Sequence, residues 1–123
     1  MGLGVFLRAV ERAVDVGIVG RFWSMVLEHA VITVKPGTSS AFEGAMVKAR
    51  PVIAACPGFV SLALHRGVES PDRYLLLVEW ETLEDHMVGF RESEAFREWR
   101  SLIGPYFDSP PVVDHCSPVE GIG

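Results

Sequence analysis

The chain has 123 residues, of which 49% are hydrophobic and 22% are charged, enough for one globular domain with a buried core. Its formal net charge is −5, and an acidic chain without a stripe of lysine and arginine argues against nucleic-acid binding. No apolar run approaches the about 18 residues that a membrane span needs, so we expect neither nucleic acid nor a membrane as a partner. Cys56 and Cys116 lack a Cys-x-x-Cys spacing, which favours reduced thiols in a cytoplasmic protein.

Residues 1–24 differ in pattern from the rest of the chain. Apolar residues recur there at loose helical spacing, with charged residues opposite them. Charges in the middle of the segment argue against a signal peptide, and the acids Glu11 and Asp15 argue against a mitochondrial leader. We interpret the segment as an N-terminal extension outside the domain, with Met25 as the natural beginning of the fold. The alternative is a short amphipathic helix that packs on the domain or on a partner.

The domain begins with a predicted strand and a predicted helix. The β-branched stretch Leu27–Lys35 predicts the first strand, which Pro36-Gly37 ends. Ser40 and Glu43 have the spacing of a capping box, which predicts the start of a helix. Apolar residues at helical spacing give this helix an inner face: Phe42, Met46, Ala49 and Ile53. Pro51 falls inside the pattern and is expected to bend or break the helix.

A hairpin and a second helix follow. Phe59–Val68 predicts the second strand, and a short turn leads from it into a third strand at Tyr74–Trp80. Strands joined by so short a turn are expected to pair antiparallel. Thr82 and Asp85 form a relaxed capping box that predicts the start of the second helix.

The predicted elements end with a further helical turn, which Ser93 can cap, and a last strand at Val112–Cys116. The complete order is β-α-β-β-α-β. This order predicts an α+β protein with a ferredoxin-like antiparallel sheet and helices on one face.

The third strand is apolar on both of its faces. Leu75 and Leu77 alternate with the face that carries Tyr74 and Trp80. A sheet with one face in water should alternate apolar with polar residues instead. We therefore expect a second copy of the chain to cover this face, which predicts a homodimer through the sheet faces.

His86 is the candidate catalytic residue. It shares the inner stripe of the second helix with Leu83 and Phe90, where a histidine of near-neutral pKa can take a proton from a phenol-like substrate. The alternative is a histidine that packs between these neighbours for structural reasons. Trp80, Tyr74 and Phe90 are the candidate substrate-binding residues, although a tryptophan or tyrosine on a buried strand also suits a core position.

The other histidines are His29, His65 and His115, each on a separate predicted strand. None has metal-ligand spacing to a second ligand, so no metal site is predicted. His29 and His115 could converge if the first and last strands are neighbours, but that pair would not complete a site. No Gly-rich phosphate loop and no Gly-x-Ser-x-Gly motif is present.

Taken in order, the motifs resemble the antibiotic biosynthesis monooxygenase family. The resemblance is carried by "VKPG" at Val34–Gly37, Phe42, "CPGF" at Cys56–Phe59, "YLLLVEW" at Tyr74–Trp80, His86, Phe90, Phe96, Trp99 and "PPVVDH" at Pro110–His115. It covers residues 25–119 and leaves 120–123 as a tail. It implies a dimeric α+β barrel with a pocket between sheet and helices in each subunit. It also implies oxygenation of a small aromatic or quinol-like compound without flavin or metal.

One branch of the same superfamily degrades haem with an asparagine on the first strand, a tryptophan ending the third strand and a late-helix histidine. Only Trp80 matches here, because the other positions carry Ala30 and Arg100, so the resemblance implies no haem ligand and no cofactor. Three functions stay open. They are a cofactor-independent monooxygenase, a non-catalytic small-molecule-binding dimer, and an isomerase or decarboxylase that uses the same pocket.

Overall fold

The computed structural model describes residues 25–122, and the predicted N-terminal extension therefore lies outside the described residues. The order of elements confirms the β-α-β-β-α-β prediction, with strands β1 (Val26–Thr33), β2 (Phe59–Arg66), β3 (Arg73–Trp80) and β4 (Val112–Cys116), and helices α1 (Ser39–Ala54) and α2 (Glu94–Ile103). The strands form one antiparallel sheet in the order β2-β3-β1-β4. The fold is therefore the ferredoxin-like α+β arrangement. No helix within residues 25–122 is long and apolar enough to cross a membrane.

Helix α1 departs from two sequence predictions. Its N-cap is Thr38, whose hydroxyl donates to the Lys35 carbonyl at 2.6 Å, so the predicted Ser40–Glu43 capping box is wrong. Glu43 instead accepts hydrogen bonds from side chains of the sheet. The helix also runs through Pro51 to Ala54 without ending. Pro51 and Val47 are exposed, and on that side water can serve the carbonyl that lost its donor.

The segment predicted as the start of the second helix is a π-helical turn, Asp85–Phe90. Its beginning is the expected one, since the Asp85 backbone N–H donates to Thr82 Oγ1 at 3.0 Å. The Arg91 N–H then donates to the His86 carbonyl at 3.0 Å, the i to i+5 bond of a π-helix. This wider turn leaves Leu83 45% exposed, whereas a regular helix would place it on the inner stripe with His86. π-helical turns are frequent at functional sites.

Two local features hold this region in place. The Ser93 hydroxyl oxygen accepts from the Phe96 N–H at 3.2 Å, which confirms Ser93 as the cap of α2. Gly58, in the turn before β2, has a φ of +85° and packs against Asp85 so closely that a Cβ there would collide with that side chain. The "CPGF" turn thereby abuts the start of the π-helical turn.

The sheet has one covered face and one open face. Residues 28, 30, 32 and 34 of the first strand region and residues 74, 76, 78 and 80 of β3 are buried beneath the helices. On the opposite face, Leu75 and Leu77 are only half-buried in a single chain. Both faces of β3 are therefore apolar, as the sequence predicts. The partner expected on the open face stays a prediction.

Candidate functional site

A cavity of about 200 Å³ lies between the covered sheet face and the second half of the chain. Its walls come from β1, β3, β4, the π-helical turn and α2, and they are largely apolar, with four aromatic rings among them: Phe90, Phe96, Trp99 and Phe107. The polar groups on the wall are Glu28, His86, Arg91 and Arg100. An apolar cavity with a few converging polar groups is the usual form of a small-molecule site.

Glu28 and His86 meet at the inner end of this cavity, and both are nearly inaccessible, with 6% and 2% of their surfaces exposed. Glu28 Oε1 accepts a hydrogen bond from the Trp80 indole N–H at 3.0 Å and lies 3.3 Å from His86 Nε2. The other ring nitrogen of His86, Nδ1, is 2.8 Å from His115 Nε2. A continuous chain of polar contacts therefore runs from Trp80 through Glu28 and His86 to His115.

The strand register explains why these side chains meet. Glu28 on β1 pairs with His115 on β4, so both point from the same face of the sheet. Trp80, at the end of β3, stacks beneath the imidazole of His86 with ring centroids 5.3 Å apart and planes 18° apart. The π-helical turn then brings His86 over the carboxylate.

Burial shifts the pKa of each ionisable group in this series of polar contacts. Desolvation raises the pKa of Glu28, against the hydrogen bond from Trp80 and the charge of Arg91. Desolvation, followed by the charges of His115 and Arg91, lowers the pKa of His86 to about 4. The imidazole of His86 is therefore neutral at pH 7. Its 3.3 Å contact with Glu28 is then a contact between a neutral ring and the carboxyl group rather than an ion pair.

The predicted site residues are not all in one place. Phe90 lines the cavity beside His86. Trp80 has no exposed surface, so it supports His86 from behind rather than facing the cavity. Tyr74 lies six residues away along β3, about 20 Å at strand spacing, and lines a separate groove with Glu43 and Arg66. Tyr74 and His86 therefore do not share a cavity.

Sequence reasoning missed Glu28 as a site residue. A signal for it existed, because Glu28 has the strand parity of Ala30 and Ile32 and is thus a carboxylate at an inward position of an apolar strand. The sequence pattern offers His115 only as a possible neighbour of His29. The register pairs His29 with Asp114, so His29 and His115 lie on opposite faces of the sheet and do not converge. Within residues 25–122 no group of three potential metal ligands is assembled.

Residues 25–102 match the sequence model of a family described as antibiotic biosynthesis monooxygenase. The uncharacterized protein YczJ of Bacillus subtilis (strain 168) is 41% identical over 95 residues, which are 77% of this chain and all of that protein. A crystal structure from Bordetella bronchiseptica with the same family description is 46% identical, has a TM-score of 0.76, and covers 78% of this chain and 98% of its own.

More distant structures share the fold. SnoaB of Streptomyces nogalater, described as a cofactor-independent oxygenase, is 17% identical with a TM-score of 0.69, covering 80% of this chain and 97% of its own. At that identity the likeness shows the fold alone. The family match and the similarity to YczJ together confirm the resemblance found in the sequence, and the chain belongs to the antibiotic biosynthesis monooxygenase family.

Proposed function

We propose that the protein is a cofactor-independent monooxygenase that acts on a small phenol or hydroquinone. The observation that carries this proposal is the buried pair of Glu28 and His86 at the inner end of an aromatic cavity. A proton acceptor in an apolar cavity is what the deprotonation of a phenol requires. Membership of the family supports the reaction class.

The proposed reaction begins with transfer of the phenolic proton to the Glu28–His86 pair. The resulting electron-rich anion gives an electron to O₂, and the two radicals combine at a ring carbon to form a peroxide. The pair returns its proton to the outer peroxide oxygen, and this oxygen leaves as water together with the hydrogen of the ring carbon. The other oxygen atom stays on the product as a carbonyl group. Arg91 and Arg100 line the cavity and supply positive charge that stabilises the anion.

The size of the cavity limits the substrate. About 200 Å³ is smaller than the roughly 300–1,000 Å³ of pockets that hold drug-sized ligands. The wall is flat and aromatic at Phe90, and the guanidinium of Arg100 lies 5.9 Å from the ring centroids of both Phe96 and Phe107. A substrate of one or two fused rings fits these dimensions better than a larger polycyclic compound.

The test is oxygen uptake by the purified protein with a panel of one-ring and two-ring hydroquinones and naphthols. We expect uptake above the uncatalysed rate, and His86→Ala should lower it, because the substitution breaks up the Glu28–His86 pair that receives the phenolic proton. Val47→Ala is the control, because Val47 lies exposed on α1, away from this cavity and from the open sheet face. Uptake that is unaffected by His86→Ala would contradict the proposal.

The same panel separates the alternatives. An isomerase or decarboxylase would use the same proton acceptor and convert a ligand without consuming oxygen, which product analysis detects. A binding module would hold a ligand and return it unchanged. Either result would replace the monooxygenase proposal.

We also propose that the protein functions as a homodimer through the open sheet face. The support is the half-buried apolar surface that Leu75 and Leu77 leave on that face in a single chain. Leu77→Lys would bury a charge without a counterion and should dissociate the dimer in sedimentation at micromolar concentration. Val47→Lys, on the exposed side of α1, is the control, since Val47 is 74% exposed. A monomeric unmodified protein would contradict the proposal.

A further inference from the structure

We propose that Glu28, rather than His86, is the group that exchanges a proton with the molecule in the cavity, and that His86 positions it. This inference rests on the proposed function, because it names the atom that performs the first proton transfer. It follows from how the hydrogen-bonding capacity of the two side chains is used within the described part of the chain.

Both ring nitrogens of His86 already contact a neighbouring side chain. Nε2 contacts Glu28 Oε1 at 3.3 Å, and Nδ1 contacts His115 Nε2 at 2.8 Å. A neutral imidazole has one donor and one acceptor nitrogen. The tautomer that suits both contacts has Nε2–H toward the carboxylate, with Nδ1 accepting from His115. A ligand could reach either nitrogen only by displacing one of these contacts.

Glu28 has the opposite balance. Its Oε1 accepts from the Trp80 indole N–H at 3.0 Å and lies 3.3 Å from His86 Nε2, so both neighbours lie against the same oxygen. Its Oε2 has no hydrogen-bond partner among the described residues. No fully buried side-chain oxygen or nitrogen of these residues lacks a partner, so Oε2 must have some accessible surface. Because Glu28 lines the cavity, Oε2 is the accessible acceptor there.

The proton step then balances within the cavity. The O–H bond of a phenol breaks, its electron pair stays on the phenolate oxygen, and the proton binds Oε2 to give a neutral carboxylic acid. After oxygen has reacted, the same proton returns to the oxygen atom that leaves as water. Desolvation raises the pKa of Glu28, which suits a carboxyl group that must both accept and return a proton.

His86 and its neighbours hold Glu28 for this task. The contacts from Trp80 and His86 converge on one oxygen, so they fix the carboxylate and leave the other oxygen toward the cavity. The charged or titratable groups that face Glu28 are His86 and Arg91 from the π-helical turn and its end, Arg100 from α2, and His115 from β4. Desolvation lowers the pKa of His115, against the opposing charge of Asp114. Turnover should therefore rise with pH as Glu28 loses its proton, with its midpoint above the ordinary glutamate value.

The experiment uses 4-nitrophenol, whose anion absorbs at longer wavelength than the neutral phenol, and compares three proteins. They are the native protein, Glu28→Gln and His86→Gln. Both substitutions keep the approximate size and the polarity of the side chain, so the cavity should keep its shape. At a pH where free 4-nitrophenol is mainly neutral, we expect the native protein and His86→Gln to bind it as the anion. Glu28→Gln should bind it in the neutral form.

Kinetics on an oxidisable phenol complete the test. Glu28→Gln should lower kcat/KM by about 10²–10⁴-fold. His86→Gln should lose less and move the midpoint of the pH profile, which a purely structural role would not do. A larger loss for His86→Gln than for Glu28→Gln would overturn the inference and return His86 to the role of base.

The binding result does not depend on oxygen chemistry. If the native protein ionises 4-nitrophenol through Glu28 yet consumes no oxygen with any phenol, the inference stands and the monooxygenase proposal fails. If oxygen uptake occurs but Glu28→Gln ionises 4-nitrophenol as well as the native protein does, only the inference is overturned. Failure of the native protein to bind 4-nitrophenol as the anion also overturns it.

Discussion

Two glutamates accept hydrogen bonds from residues at opposite ends of β3, and their surroundings shift their pKa values in opposite directions. Glu28 is buried, and its partners are the neutral groups of Trp80 and His86. Glu43, on α1, keeps 41% of its side chain exposed and accepts hydrogen bonds from the Tyr74 hydroxyl and from Arg66. Each carboxylate thus has an aromatic donor from β3, but only Glu43 has a cation directly bonded to it.

The pKa shifts follow from this difference. Desolvation raises the pKa of Glu28, because burial disfavours the charged form more than its hydrogen bond and Arg91 favour it. The hydrogen bonds from Tyr74 and Arg66 lower the pKa of Glu43, where water still solvates the charge. A strong hydrogen-bond network is therefore a poor guide to a proton-transfer site. The useful sign is a buried carboxylate that has no direct cation and one oxygen without a partner.

The largest expected difference between the two glutamates is in the rate of oxygen uptake. Glu28→Gln removes the proposed proton acceptor without changing the shape of the side chain, and should lower the rate of oxygen uptake by about two to four orders of magnitude. Glu43→Gln should leave that rate unchanged, because Glu43 belongs to the separate groove beside Tyr74. Equal losses in the two variants would show that the two ends of the sheet act as one site.

The two glutamates should contribute with opposite signs to the change in unfolding free energy as the pH falls. The pKa of His86 is about 4 in the folded protein and about 6.5 when unfolded, so the unfolded chain binds the extra proton first. Stability should thus fall by up to about 3 kcal/mol as the pH drops from about 6.5 toward 4. Glu28, with a raised pKa, opposes this loss, whereas Glu43, with a lowered pKa, adds to it.

Urea midpoints measured at one protein concentration from pH 7 to about pH 3, below the ordinary glutamate pKa of about 4.3, provide the check. Glu28→Gln should make the acid loss steeper, because it removes the opposing contribution. Glu43→Gln should make it shallower. A change of slope in the same direction for both variants would contradict the assignment of opposite shifts.

A smaller effect is expected at the exposed end. Tyr74→Phe removes the hydroxyl that donates to Glu43 but keeps the ring, whose centroid lies 4.8 Å from that of Phe42. The loss of one such hydrogen bond should lower the unfolding free energy by about 1 kcal/mol, measured by urea denaturation. Oxygen uptake should not change. A large loss of turnover in Tyr74→Phe would place Tyr74 in the functional site after all.

The smallest effect is expected from deletion of residues 1–24. If this segment is an extension outside the domain, its removal should leave the melting temperature almost unchanged. A drop of roughly 5 °C or more would correspond to about 1 kcal/mol of docking. That result would mean that the segment packs on the domain.

The sequence sufficed for the fold and for part of the site. Period-two apolar patterns and turn residues located every strand to within a few residues, because burial and backbone geometry act locally. The position of His86 near a cavity followed from the same reasoning. Its hydrogen bonds did not, because Glu28 and His115 meet it only through the register of β1 with β4 and through a π-helical turn.

The departures at α1 have a similar cause. Ser40 and Glu43 match the spacing of a capping box, yet Glu43 is drawn to Tyr74 and Arg66 on the sheet. Contacts with residues distant in sequence therefore replaced the hydrogen bonds that the local motif predicts. Tyr74 was grouped with Trp80 because strand parity identifies a face but not a position along it.

The most direct test of the contrast between the two glutamates is a carboxyl ¹³C NMR titration of the native protein. Glu28→Gln and Glu43→Gln would assign the two resonances in spectra of protein labelled at the glutamate side-chain carboxyl. We expect Glu28 to titrate above the ordinary glutamate value of about 4.3 and Glu43 below it. Titration of both at the same pH, or of Glu28 below Glu43, would contradict the claim that burial prepares Glu28 for proton transfer.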